Sequence, residues 1–212
     1  MTFRVRVKIC GLTRAADVEA AGMAGADAVG FVCYPGSARF VPVARLRELR
    51  RALAPFITPV LLFVNASDRE ISAAIDAVPD ALIQFHGDES EADCLRAGRP
   101  YVRAVALGAQ GALLDFEACF PSAQGLLADT PSAGRGGAGK AFDWGLVPPS
   151  SQRRLPLVLA GGLDETNVEA AIARVRPHAV DVSTGVELEK GIKDPARIAR
   201  FIAAVRAAES NL

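Results

Sequence analysis

The chain is 212 residues long, 50% hydrophobic and 23% charged, with 24 basic side chains matched by 24 acidic ones. That is the make-up of a soluble globular protein and excludes a disordered tail or a fibre. A formal net charge of zero and a pI near 6.7 give no overall field for a nucleic-acid backbone or an anionic membrane, so neither is expected as a partner, while a local phosphate site stays open. Charges interrupt the opening stretch MTFRVRVKIC where a secretory signal needs an apolar run, and nowhere do about 20 apolar residues follow one another, which points to the cytoplasm.

Along the chain, short β-rich apolar runs alternate with segments of helical period, making eight such pairs. Strands are expected at residues 5–9, 28–32, 59–64, 81–85, 101–106, 125–128, 157–160 and 179–182. Helices are expected at 14–23, 43–53, 68–77, 89–97, 110–118, 165–175 and 195–208, and the sixth helix is the least marked. Start signals are Thr13 before Arg14, Ser67-Asp68, and Asp194-Pro195 with proline in the first turn. Gly22, Gly25 and Gly98 mark stops. Eight alternating β and α units in a chain of this size close most simply into an α/β fold of the (β/α)8 TIM-barrel kind, one domain spanning 1–212, with a doubly wound open sheet as the alternative. The Gly-rich stretch 130–141 follows the sixth strand, where a barrel carries an active-site loop.

A barrel does its chemistry at the C-terminal ends of its strands. Those ends here carry Cys10-Gly11, then Tyr34 to Arg39 after strand two, His86-Gly87-Asp88 after strand four, Asp129, Gly161-Gly162, and Asp181 to Gly185. A thiol, a carboxyl, an imidazole and a guanidinium on one rim suit acid/base work on a small phosphorylated substrate. Gly161, Gly162, Ser183, Thr184 and Gly185 are the phosphate candidates, since barrels often bind phosphate after strands seven and eight; tight turns alone would also use these glycines.

The four cysteines, Cys10, Cys33, Cys94 and Cys119, form no C-x-x-C pair and sit beside only two histidines, so neither a zinc site nor a disulfide framework is indicated. Read alone, each is a small buried hydrophobe. Four lysines stand against twenty arginines, and Lys8, Lys140, Lys190 and Lys193 all fall at strand ends or loops. Lys8 shares side-chain parity with Cys10 and should point into the barrel, where closure makes Asp181 on the neighbouring strand its natural partner.

Seven ordered blocks resemble the phosphoribosylanthranilate isomerase family: KICGLT (8–13), GFVCYPGSARFV (30–41), LLFVN (61–65), IQFHGDES (83–90), LLADT with GGAGKAFDW (126–144), LAGGLDETNV (159–168) and DVSTGVELEKGIKD (181–194). The resemblance implies an Amadori rearrangement of N-(5-phosphoribosyl)anthranilate in tryptophan biosynthesis, without metal or organic cofactor. By matching motif position it makes Cys10 the general base and Asp129 the general acid, with Arg39 at the substrate carboxylate. His86 ranks below Arg39 as a substrate contact, and Asp181 shapes the site. The mechanism asks for a protonated Asp129 and a readily deprotonated Cys10, which are opposite environments. Outside the resemblance, Asp129 reads as a cap or loop clamp, Arg39 as a surface arginine and His86 as a neutral ring bonded to backbone. Thr184 stands where a serine is more usual, Phe40 where a tyrosine is, and Ser132 to Arg135 form an insertion in loop six.

Two other functions compete. A histidine-pathway phosphosugar isomerase would be expected to carry an aspartate where Cys10 stands, and a catalytically silent phosphate-binding barrel would keep the glycines while losing the acid/base pair. Alanine-rich helix faces leave a monomer and a homodimer equally open.

Overall fold

Eight parallel strands close into a barrel in the computed structural model, which describes residues 4–109, 111–131 and 142–211. The strands are β1 (Arg6–Cys10), β2 (Ala28–Val32), β3 (Thr58–Phe63), β4 (Leu82–Phe85), β5 (Tyr101–Ala106), β6 (Gly125–Asp129), β7 (Leu157–Leu159) and β8 (Ala179–Val182). Each pairs with the next, and β1 pairs with β8 in a register that sets Lys8 opposite Asp181. The open doubly wound alternative is thereby excluded. The outer ring holds α1 (Ala15–Ala24), α2 (Val43–Arg51), α3 (Asp68–Ala77), α4 (Glu91–Arg96), α5 (Ala112–Cys119), α6 (Val168–Val175) and α7 (Pro195–Ser210).

Both faces of the barrel wall are buried, which is why the strands read as near-continuous apolar runs. One parity of side chains, such as Val7, Ile9, Phe31, Phe63 and Phe85, packs outward against Leu46, Leu49, Ile172 and Phe201 of the helices in a single core. The other parity fills the interior. Cys10, Val32, Leu62 and Val64 form one inner cluster and Val102, Ala104, Leu127 and Ala160 another, with Lys8, Gln84 and Asp181 as buried polar members. Burial of this kind contributes about 25 cal/mol per Å² of apolar surface, so the doubly covered wall is the main stabilising feature.

The helix-start signals are confirmed at two of three places. Ser67 forms a full capping box with Glu70, and Asp194 accepts from the amides of Ala196 and Arg197 with Pro195 in the first turn. At α1 the N-cap is Arg14, without a side-chain cap, because the Thr13 hydroxyl donates instead to the Gly191 carbonyl at 2.6 Å. Gly25 ends α1 in a left-handed conformation and Gly98 follows α4 in the same way, but Gly22 lies within α1 rather than ending it. Between β6 and β7 the described residues hold two 3₁₀ turns, Trp144–Leu146 and Ser150–Gln152, in place of an α-helix. A feature absent from the sequence reading is an antiparallel hairpin between β8 and α7, made of β9 (Glu187–Glu189) and β10 (Ile192–Lys193). No helix among the described residues is long and apolar enough to cross a membrane.

Candidate active site

The C-terminal mouth of the barrel opens into one pocket, and all ten residues singled out in the sequence line it: Cys10, Arg39, His86, Asp129, Gly161, Gly162, Asp181, Ser183, Thr184 and Gly185. Tyr34, Leu62, Val64, Gln84 and Leu163 complete much of its wall. The insertion 132–135 and Lys140 lie outside the described residues.

Lys8 and Cys10 sit two residues apart on the inner face of β1. Gly30 on β2 makes room for both: a Cβ there would lie 2.7 Å from Cys10 Sγ and 3.2 Å from Lys8 Cε. Lys8 Nζ donates to Asp181 Oδ1 at 2.9 Å, the pair inferred from strand closure, and both side chains are 9% exposed. Burial alone would lower the Lys8 ammonium, but Asp181 outweighs it, with a further contribution from Cys10, and raises it above the usual lysine range. Burial pushes the Cys10 thiol up, while the Lys8 cation pulls against that shift and Asp181 adds to it. The Lys8 cation thus acts against desolvation, in the direction that a base at Cys10 requires.

Asp129 ends β6, its side chain 19% exposed. Its Oδ1 accepts from the Thr130 amide at 2.7 Å, and its Oδ2 lies 3.4 Å from His86 Nε2. His86 Nδ1 meets Gln84 Nε2 at 3.1 Å; with that amide donating, the imidazole proton sits on Nε2, facing Asp129. Among the described residues the His86 ring thus bonds the Gln84 side chain and lies beside the Asp129 carboxyl, with no bond to backbone. Behind it, Arg103 donates to the carbonyls of Phe85 at 3.0 Å and Gly87 at 2.7 Å, the two residues flanking His86. Its guanidinium lies over the rings of Phe116 and Phe120.

Gly161 must be glycine on two counts. Its φ is +82°, and a Cβ there would meet the Thr130 hydroxyl, lie 2.7 Å from the Thr130 amide and come within 2.9 Å of Asp129 Oδ1. Gly161→Ala is expected to displace the Asp129 carboxyl and to lower kcat/KM at least about tenfold while costing about 1–3 kcal/mol of stability, measured by steady-state kinetics and thermal unfolding. Beyond it, Ser183 leads from β8 into the 3₁₀ turn Thr184–Val186.

Arg39 is not a surface arginine: its side chain is 12% exposed and pairs in two-pronged fashion with Glu187, Nε to Oε1 at 2.7 Å and Nη2 to Oε2 at 2.6 Å. Nη2 also donates to Thr184 Oγ1 at 3.2 Å. Burial alone would raise the Glu187 carboxyl, but its hydrogen bonds with Arg39 and the nearby Lys193 ammonium hold it below the usual carboxylate range. Glu187 and Arg103 are not marked by the sequence, and Gln84 and Lys193 stand out there only as a strand-end residue and a scarce lysine. The scarcity of lysine points at Lys193, whereas Glu187 sits in an ordinary-looking ELEK stretch. Among the described residues no cluster of three or more His, Cys, Asp or Glu could hold a metal ion.

The family profile described as PRAI, N-(5'phosphoribosyl)anthranilate (PRA) isomerase, matches residues 7–204. The chain is 54% identical over 209 residues to the N-(5'-phosphoribosyl)anthranilate isomerase of Methylibium petroleiphilum, covering 99% of this chain and 97% of that one. The crystal structure of phosphoribosyl anthranilate isomerase from Thermotoga maritima superposes with a TM-score of 0.86 at 38% identity, covering 96% of this chain and 99% of that one. A second structure of such an isomerase, in complex with reduced 1-(o-carboxyphenylamino)-1-deoxyribulose 5-phosphate, has a TM-score of 0.83 at 36% identity over 96% of this chain and 99% of that one. With the barrel, the pocket and the motif residues that line it, these matches establish that the chain belongs to the N-(5'-phosphoribosyl)anthranilate isomerase family.

Proposed function

We propose that the isomerase reaction runs on Cys10 and Asp129 as a general base and general acid pair. The reaction is the Amadori rearrangement of N-(5-phospho-β-D-ribosyl)anthranilate to 1-(2-carboxyphenylamino)-1-deoxy-D-ribulose 5-phosphate, a step of tryptophan biosynthesis, and the chain is an isomerase of this kind. The observation that carries the assignment is the convergence of a thiol, a carboxyl, a guanidinium and two glycine-bearing turns on one pocket. Asp129 protonates the furanose ring oxygen, the bond from that oxygen to C1′ breaks, and the anilino nitrogen lone pair forms the Schiff base. Cys10 then takes the proton from C2′, the electrons return to nitrogen as an enolamine, C1′ gains a proton as the 2′-hydroxyl loses one to give the ketone, and proton exchange returns Asp129 to its acid form and Cys10 to its base form. None of these steps calls for a metal or an organic cofactor.

In this reading Gly161, Gly162, Ser183, Thr184 and Gly185 receive the phosphate through backbone amides and hydroxyls, and Arg39 receives the anthranilate carboxylate. His86 keeps Asp129 oriented, and Asp181 keeps Lys8 charged beneath Cys10. The whole chain acts as one barrel domain, alone or as a homodimer, in the cytoplasm. A histidine-pathway barrel is disfavoured by the thiol at the end of β1, and a silent binding module by the presence of both Cys10 and Asp129.

The test is the loss of phosphoribosylanthranilate fluorescence, with substrate generated in situ and chelator present. Wild type should accelerate the loss. Arg39→Ala should raise KM by roughly ten- to a hundredfold, the cost of a charge-assisted bidentate contact, with a smaller change in kcat. An unchanged KM would remove Arg39 from the carboxylate, and no turnover with chelator present would overturn the cofactor-free mechanism.

A further inference from the structure

The reading of Arg39 as the carboxylate contact leaves open what holds a long, flexible side chain in a receiving position before substrate arrives. Its partner, Glu187, is 148 positions away in the chain and only 3% exposed at its side chain. A guanidinium has five N–H donors. Glu187 accepts from Nε and Nη2 and Thr184 from Nη2, so that among the described residues these bonds leave Nη1 unengaged on a side chain that lines the pocket.

Glu187 is itself anchored. Its Oε1 accepts from Lys193 Nζ at 3.0 Å and from the Gly191 amide at 3.2 Å. Lys193 is fully buried, and the same ammonium donates to the Ser183 carbonyl at 3.0 Å and hydroxyl at 3.3 Å. Its backbone amide is held by Asp17 of α1 at 3.2 Å. A single chain of charge-assisted bonds thus runs from the arginine through Glu187 and Lys193 to the turn that follows β8. Burying an acid and a base for shape alone is costly where apolar side chains would fill the same space, so a geometric task for the pair is a better account than stability.

We propose that Glu187 and Lys193 are positioning residues: a strut on the β9–β10 hairpin that presets the rotamer of Arg39 and ties it to the Ser183 turn, so that carboxylate and phosphate are received at one fixed spacing. The proposal rests on the reading of Arg39 given above and deepens it. Glu187 touches no substrate; it acts through Arg39. Lys193 acts on both ends, through Glu187 on one side and Ser183 on the other. The strut makes the site selective for ligands that carry both anionic groups, because a ligand with one of them gains nothing from the spacing.

The test compares wild type, Glu187→Gln, Lys193→Met, Arg39→Ala and the Glu187→Gln/Arg39→Ala double variant. Its readouts are turnover and inhibition by two probes, the reduced carboxyphenylamino-deoxyribulose phosphate and inorganic phosphate. Glu187→Gln should raise KM and the inhibition constant of the reduced analogue about tenfold, leave kcat within about threefold and leave the inhibition constant of phosphate within about twofold. Lys193→Met should weaken both probes. In the Arg39→Ala background Glu187→Gln should add less than about twofold to KM, because a residue acting through Arg39 has nothing left to act on. A raised KM in Arg39→Ala with an unchanged one in Glu187→Gln, or additive effects in the double variant, would overturn the strut. An unchanged KM in Arg39→Ala would overturn the carboxylate assignment and the strut together. Should Glu187→Gln not fold, Glu187→Asp keeps the charge on a shorter arm, and a KM rise smaller than that of Arg39→Ala is expected at unchanged kcat.

Discussion

Asp129→Asn and Cys10→Ala are each expected to lower kcat by about 10²- to 10⁴-fold, the range of a positioned proton donor or acceptor, with the inhibition constant of the reduced product analogue changed by less than about threefold. Both substitutions fit the site. The asparagine oxygen can still accept from the Thr130 amide, and alanine at position 10 leaves a small void in the cluster of Val32, Leu62 and Val64. A loss of turnover with analogue binding kept would place each group in the chemistry rather than in the architecture. Retention of more than about a tenth of kcat by either variant would remove that residue from its role.

The thiol carries a pH signature of its own. Burial raises the Cys10 thiol while Lys8 opposes the shift, so the thiolate fraction of the free protein should still be climbing at pH 9. Alkylation of Cys10, followed by peptide mass spectrometry, reads that slope. Lys8→Met removes the cation beneath the thiol and should slow alkylation further at every pH in this range. Cys33 serves as an internal reference, since burial alone pushes its thiol up to about 12. A plateau for Cys10 below pH 8 would mean that Lys8 outweighs burial. The base is needed only after ring opening has made the C2′ proton acidic. The cationic Schiff base formed there adds a positive charge next to the thiol, and a nearby cation favours its thiolate.

The barrel was legible in the sequence because each strand signals itself within a few residues: Ala28–Val32, Tyr101–Ala106 and Ala179–Val182 fall where the apolar runs place them. The site followed from the barrel, since strand ends are local in sequence even when they meet in space, and the Lys8 to Asp181 pair needed only parity and closure. What escaped is held by contacts that no local pattern encodes. Thr13 looks like a cap but is claimed by Gly191, 178 positions away. Glu187 reads as an exposed acid in ELEK until the hairpin folds it under Arg39, and Arg103 reads as the polar member of a strand until its guanidinium slides between the barrel wall and two phenylalanine rings. The helix ranges read from the sequence leave the stretch between β6 and β7 without one, and two 3₁₀ turns stand there among the described residues.

Asp181→Ala should destabilise the fold by about 3–5 kcal/mol, the cost of leaving one member of a buried ion pair without its partner. Lys8 would then face only the Cys10 thiol among the groups that raise it in wild type. The pH dependence distinguishes this cause from a simple loss of packing. In wild type the Lys8 ammonium titrates above its unfolded value, so the stability it contributes is fully present below about pH 10.4 and is lost only as pH rises beyond that toward the folded value. Without Asp181, burial should bring the Lys8 value below that of the unfolded chain. The unfolded state then binds more protons, and stability relative to wild type should recover as pH rises from 7 toward 10. Urea unfolding at intervals across that range reads the effect, and a deficit that stays constant with pH would mean that the missing carboxylate matters for shape and not for charge. Lys8→Met/Asp181→Leu supplies the complementary arm. Removing both charges at once eliminates the unpaired ion, so the double variant should lie within about 1–2 kcal/mol of wild type and lose its pH dependence, while Cys10, deprived of its cation, reacts more slowly than in wild type. A fold restored without a restored thiol would show that the pair beneath Cys10 is kept for the reaction at the barrel mouth and not for the barrel itself.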